Sequence, residues 1–110
     1  GHHVAVQVVL CQHDPFGIAG GPRCVDQREE LIRRHRARIT LKRGSGYISI
    51  SCHIYGWTDH TRFFNSISEA QREYVAMKAA LGGVVSVIES AGSKDIKVWE
   101  AISIFVRRFP

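Results

Sequence analysis

Closely spaced cysteines and long apolar runs are both missing from this chain. Its three cysteines, Cys11, Cys24 and Cys52, are an odd number and lie far apart. Small secreted domains that depend on disulfides carry paired cysteines, so we expect a reducing, intracellular setting and a cytoplasmic protein. No apolar run reaches the roughly 18 residues of a membrane-spanning helix, and we expect neither a signal peptide nor a membrane partner.

Motifs of the common enzyme classes are also missing. The sequence has no nucleophile elbow, no dinucleotide fingerprint and no phosphate-binding glycine loop. A zinc site would have to combine Cys11, His13, Cys24, Cys52 and His53. Neighbouring strand residues such as Cys52 and His53 point to opposite faces, and no C-x-x-C pair is present. We expect no cofactor and no metal, with the three thiols buried in the core.

Acidic residues are fewer than basic ones. Ten Asp and Glu stand against fifteen Lys and Arg in 110 residues, a net charge of +5. Apolar residues make up 45% and charged residues 23%, which is typical of one globular domain. We interpret residues 1–3 as a cloning remnant and residues 4–110 as a single α+β domain. The positive charge favours an anionic partner, either nucleic acid or an acidic protein.

The first part of the chain is predicted to form a strand and a helix. Residues 4–11 are apolar and β-branched apart from one glutamine, which indicates a central strand. After a loop rich in glycine and proline, Asp26 and Glu29 form a capping pair. This pair predicts a short helix that ends near His35.

Alternation of apolar and polar residues predicts a β-hairpin in the middle of the chain. It extends over residues 35–43 and 47–57. A two-residue turn that begins at Gly44 would pair Lys42 with Tyr47. The polar residues of both strands then share one face of the sheet.

The last part of the chain is predicted to contain an irregular stretch, a helix and a strand. Residues 58–65 are irregular, and the helix begins with a capping box, either Ser66 with Glu69 or Ser68 with Gln71. Steps of three and four give this helix one apolar stripe. The stripe consists of Ile67, Ala70, Tyr74, Met77 and Leu81.

Two segments near the end differ in the number of structures that their patterns allow. Gly82 and Gly83 leave two options for residues 82–90, which either continue the helix or form a short strand. Residues 96–108 alternate in the pattern of a strand.

The order strand, helix, strand, strand, helix, strand predicts a ferredoxin-like split β-α-β sandwich (β-α-β-β-α-β). This α+β fold has an antiparallel sheet with two helices on one face and leaves the other face open. The predicted core residues are Ile39, Leu41, Ile48, Ile50, Ile54, Met77, Leu81, Ile102 and Ile104.

The open face of this sheet is the predicted functional surface. Aromatic side chains beside a basic row suit single-stranded RNA or DNA, because phosphates attract cations and unpaired bases stack on rings. The candidate nucleic-acid-binding residues are Arg36, Arg38, Lys42, Arg43, Tyr47, His53, Tyr55 and Trp57.

Residues 43–50, with the sequence RGSGYISI, resemble a degenerate RNP1 motif of the RNA-recognition-motif family. Ser45 and Ile50 stand where that family usually has aromatic residues. The resemblance therefore implies a base-stacking role for Tyr47 only.

Three alternatives use the same residues differently. The basic row can protect an edge strand from pairing with other chains. The aromatic face, with Tyr55, Trp57 and Trp99 as anchors, can bind a protein partner or a second copy in a homodimer. His53, His60 and Arg62 are the residue types of a metal-independent nuclease, which needs a base, an acid and a cation.

Overall fold

The computed structural model describes the backbone of residues 4–9, 24–33, 36–92 and 94–110, and the side chains of residues 27–33, 36–92 and 94–110. Within these ranges, five strands come first and two helices follow. The elements are β1 (Val4–Val9), β2 (Cys24–Ile32), β3 (Ala37–Gly44), β4 (Tyr47–Ile54), β5 (Thr58–Phe64), α1 (Ile67–Ala91) and α2 (Asp95–Arg108).

The sheet is an antiparallel meander in the order β1-β2-β3-β4-β5. This confirms an α+β fold with an antiparallel sheet and two helices. The predicted ferredoxin-like order is wrong, because every described strand precedes both helices. The observed order also differs from the prediction in where the strands lie. β1, predicted to be central, lies at an edge of the described sheet, and β3 lies at its centre.

The predicted helix after Asp26 is instead the strand β2. Leu31 and Ile32 fall on opposite faces of this strand. Ile32 packs in the core at 4% exposure, and Glu30 on the same face is completely buried. Because Glu30 is a charged residue at a buried position, the alternation of buried and exposed residues in β2 does not appear in the sequence as an alternation of apolar and polar residues.

The predicted strand over residues 96–108 is instead the helix α2. Its buried residues are Val98, Ile102 and Phe105, which follow steps of four and three. The alternating pattern was misleading because Ile104 is 60% exposed and does not belong to the core. Both periods fit this short segment, and packing against α1 decided between them.

The predicted irregular stretch over residues 58–65 forms β5, which pairs with β4.

The helix α1 confirms one of the two predicted capping boxes and decides between the two options for residues 82–90. Its first turn is capped by Ser66, whose Oγ accepts from the Glu69 amide at 3.2 Å. It continues without a break through Gly82 and Gly83.

The β3–β4 hairpin keeps the predicted faces but not the predicted register. Gly44 pairs with Tyr47, and Lys42 pairs with Ser49. The turn therefore begins one residue later than expected, and Gly46 has a φ of 86° in it. That left-handed conformation suits glycine. The predicted turn would have placed Ser45 at this position, where its side chain would strain the backbone. Because pairing moved by two residues, each side chain stayed on its face.

The core lies between the sheet and the helical layer. Eight of the nine predicted core residues lie in it or pack against it: Ile39, Leu41, Ile50, Ile54, Met77, Leu81 and Ile102 are buried, and Ile48 is partly buried. Within the described part of the chain, one helix, α1, is long and apolar enough by composition to cross a membrane. Buried core helices meet the same criterion, and α1 buries Ala70, Tyr74, Met77, Leu81, Val84 and Val85.

Candidate binding face

The open face is the side of the sheet opposite the helices. Strand residues alternate between the two sides, so the residues that flank the buried Ile39, Ile50 and Ile54 belong to the open face. Its members are Arg38, Thr40 and Lys42 of β3, Tyr47, Ser49, Ser51 and His53 of β4, and Asp59, Thr61 and Phe63 of β5.

Strand register arranges the open face in rows across β3, β4 and β5. The first row is Arg38, His53 and Asp59, the second is Thr40, Ser51 and Thr61, and the third is Lys42, Ser49 and Phe63. Successive rows are two residues apart along each strand, or roughly 6.7 Å.

Hydroxyl groups occupy the middle row of the open face. The Ser51 and Thr61 hydroxyl oxygens are 2.9 Å apart and share a hydrogen bond. Because serine and threonine side chains are short, this row projects less from the sheet than the longer side chains of the flanking rows.

One ion pair and one histidine–carboxylate contact lie on the open face, and their carboxylates reduce its positive charge. Arg38 Nε lies 3.3 Å from Glu29 Oε1 of the neighbouring strand β2. His53 Nδ1 contacts Asp59 Oδ1. Both pairs are partly exposed to solvent, where such pairs are weak and screened by salt.

Arg36 and Lys42 differ from Arg38 because neither makes an ion pair with a residue that the structure describes. Arg36 is exposed in the turn before β3, and its carbonyl accepts from the Tyr55 amide at 3.2 Å. The basic row predicted from the sequence therefore follows the central strand of the sheet. It does not protect an edge strand, which removes one of the alternatives.

Aromatic rings lie at both ends of β4 and on β5. Tyr55 contacts the His53 ring edge-on, with centroids 4.5 Å apart, and Tyr47 lies at the other end of the strand. Phe63 is 73% exposed on the open face. The sequence analysis missed Phe63 because residues 58–65 were interpreted as irregular, although Thr58, His60 and Arg62 alternate there with exposed neighbours.

Two of the predicted binding residues lie elsewhere. Trp57 packs edge-on against Trp99 of α2, with centroids 5.1 Å apart, and borders the core. Arg43 lies on the helix-facing side by register, between Asp26 and Ile48. The turn after β4 turns the chain toward the helices, so the alternation that placed Trp57 on the open face stops there. The other six predicted residues lie along β3 and β4 or in the turns next to them.

The residues proposed for a nuclease lie on opposite sides of the sheet. His53 belongs to the open face, whereas His60 and Arg62 face the helical layer. His60 Nε2 contacts the Phe109 carbonyl oxygen, and Arg62 Nε donates to the Pro110 backbone oxygen at 3.0 Å. These three side chains cannot meet at one phosphate.

A charged cluster that the sequence did not reveal lies under α1. Glu30 is fully buried and accepts a hydrogen bond of 2.8 Å from the Tyr74 hydroxyl. Lys78 Nζ is 2.6 Å from its Oε2, and an Arg28 nitrogen is 3.1 Å from its Oε1. Burial alone raises the pKa of Glu30, but the hydrogen bonds and positive charges outweigh it and hold this pKa below its ordinary value. Burial also raises the pKa of Tyr74.

Cys52 is buried at 1% exposure, as predicted, and burial raises the pKa of its thiol to about 12. A thiol that stays protonated is a poor nucleophile and a poor metal ligand. Cys11 and Cys24 lie outside the described side chains. No group of three or more metal-ligating side chains lies together in the part that the structure describes.

Comparison with protein-family models, with curated proteins and with solved structures finds no match to this chain.

Proposed function

We propose that the open face binds single-stranded nucleic acid without catalysing a reaction. One observation carries the proposal. Arg38 and Lys42 of β3, with Arg36 in the turn before it, lie beside Tyr47 and His53 of β4 and Tyr55 in the turn after it, on a face that neither helix covers.

The chemistry of the face supports this ligand. Base stacking needs an exposed ring beside a cation that holds the phosphate. Phe63 provides such a ring at 73% exposure, in the same row as Lys42. The low hydroxyl row of Thr40, Ser51 and Thr61 leaves room for sugar and base edges between the two flanking rows, and hydroxyl groups can both donate and accept hydrogen bonds.

The charge of the face sets the expected salt dependence. Arg36 and Lys42 are free of carboxylate partners among the described residues and supply two phosphate contacts. Two contacts predict a slope of about −1.4 for the logarithm of affinity against the logarithm of salt concentration. The slope steepens to about −2 when Arg38 exchanges Glu29 for a phosphate, because this adds a third phosphate contact.

Fluorescence anisotropy with labelled, mixed-sequence RNA and DNA oligonucleotides tests the proposal. We expect Phe63→Ala to weaken binding by about 1–3 kcal/mol, and Lys42→Ala to reduce the salt slope by about 0.7. Lys97→Ala on the exposed side of α2 is the matched control, because it removes the same charge away from the open face. The absence of binding at low salt, or an equal loss with Lys97→Ala, contradicts the proposal.

A protein partner on the same face is the second candidate, and the exposure of Phe63 favours it. Large exposed rings anchor protein interfaces as well as bases, and the net charge of +5 suits an acidic protein. In this case the Phe63→Ala defect persists at high salt, because burial of an apolar ring is little screened. Trp57 and Trp99, which the sequence analysis proposed as anchors, pack together in the helical layer.

A further inference from the structure

The helix α2 carries apolar residues on two sides. One side, with Val98, Ile102 and Phe105, is buried in the core. On the other side, Ile96 is 67% exposed, Trp99 47% and Ile104 60%. A helix that only covers a core needs one apolar side, so the second apolar side calls for a partner.

The exposed side of α2 forms a shallow depression of about 380 Å³. It is lined by Ile96, Trp99, Glu100, Ser103, Ile104 and Arg107. These positions follow steps of one and three, which places them on one helical face. Trp99 packs edge-on against Trp57, and this contact fixes the position of an aromatic ring on the face.

Two opposite charges stand on this face. Glu100 and Arg107 are two helical turns apart, or about 10.5 Å. Neither makes an ion pair with another residue that the structure describes. Arg107 Nε donates to the Ser103 carbonyl oxygen at 3.3 Å.

We propose that this face of α2 binds a second copy of the chain in an antiparallel arrangement. A two-fold axis between Ser103 and Ile104 leaves Glu100 and Arg107 equally far from it on opposite sides. Each Glu100 then meets Arg107 of the other copy, and the Ile104 side chains meet at the axis. A parallel arrangement would instead place like charges together, so the charge pattern selects antiparallel pairing.

A homodimer of this kind does not use the open face. Because α2 lies in the helical layer, on the other side of the sheet, the proposed interface covers neither open face. Self-association and ligand binding on the open face are therefore separate properties, and either one can fail without the other.

Sedimentation velocity over a range of protein concentrations tests the interface. The variant Ile104→Asp changes an exposed residue at the axis and should weaken self-association at least about tenfold. Glu100→Arg and Arg107→Glu should each weaken it about tenfold, because each brings like charges together. The double variant, which carries both substitutions, should recover the affinity of the original chain.

Val75→Asp is the matched control, since Val75 is 69% exposed on α1 and lies outside the proposed interface. It should leave self-association unchanged. The proposal is overturned by a chain that stays monomeric at the highest concentration, by single charge variants that associate like the original chain, or by a double variant that does not recover.

Discussion

The two faces of the sheet hold their charges in different ways. Under α1, Glu30 is completely buried and is surrounded by Lys78, Tyr74 and Arg28 within 2.6 to 3.1 Å. On the open face, the pairs Arg38–Glu29 and His53–Asp59 stay partly exposed. A buried charge must be fully satisfied within the fold, whereas an exposed pair can exchange its partner for a ligand. The charges around Glu30 therefore maintain the fold, whereas the charges of the open face stay in partial contact with solvent.

The largest difference between the faces should come from apolar side chains. Ile39→Ala on the buried face should lower the free energy of unfolding by about 3–4 kcal/mol, since it leaves a cavity in the core. Phe63→Ala on the open face should change it by less than about 0.5 kcal/mol. Urea unfolding followed by circular dichroism measures both values. Similar losses for the two variants would show that Phe63 is part of the folded core.

The next largest effect should come from Lys78, which neutralises Glu30. Lys78→Met keeps the aliphatic stem but leaves the buried carboxylate with Arg28 as its remaining cation. We expect a loss of about 3 kcal/mol in the free energy of unfolding. Lys97→Met, at an exposed position of α2, is the control and should have almost no effect. A loss equal to that of the control would mean that the Glu30–Lys78 pair is not formed in solution.

The buried cluster should also govern the acid side of the stability profile. The pKa of Glu30 is lower in the folded chain than its ordinary value of 4.5. Its contribution is therefore fully present above pH 4.5 and is lost as the pH falls from there through the lowered pKa of the folded state. Urea midpoints between neutral and acidic pH should fall more steeply for the original chain than for Glu30→Gln. Parallel profiles for the two proteins would contradict this assignment.

The smallest effect should come from the exposed pair on the open face. Asp59→Asn removes the partner of His53 and should change the free energy of unfolding by about 0.5 kcal/mol or less. The same variant removes a negative charge from the face and should strengthen binding of single-stranded nucleic acid at low salt. Weaker binding by Asp59→Asn, measured by anisotropy, would count against the proposed ligand.

Sequence reasoning worked where the pattern was regular. The alternating residues of β3 and β4 and the Ser66 cap of α1 predicted their structures, because each depends on neighbours a few residues away. It failed for β2 and α2, and each failure has a particular cause. In β2, the buried Glu30 looked like a surface residue, and in α2 the exposed Ile104 looked like a core residue.

By itself, the sequence determined one antiparallel hairpin, one amphipathic helix and a basic row on one strand of the hairpin, because these follow from local periodicity and capping. Only the tertiary structure decided that β2 is a strand, that α2 is a helix and that Phe63 belongs to the open face. These outcomes depend on partners far away in the chain, such as Lys78 for Glu30 and α1 for α2. Distant contacts of this kind leave no periodic signal in the residues that make them.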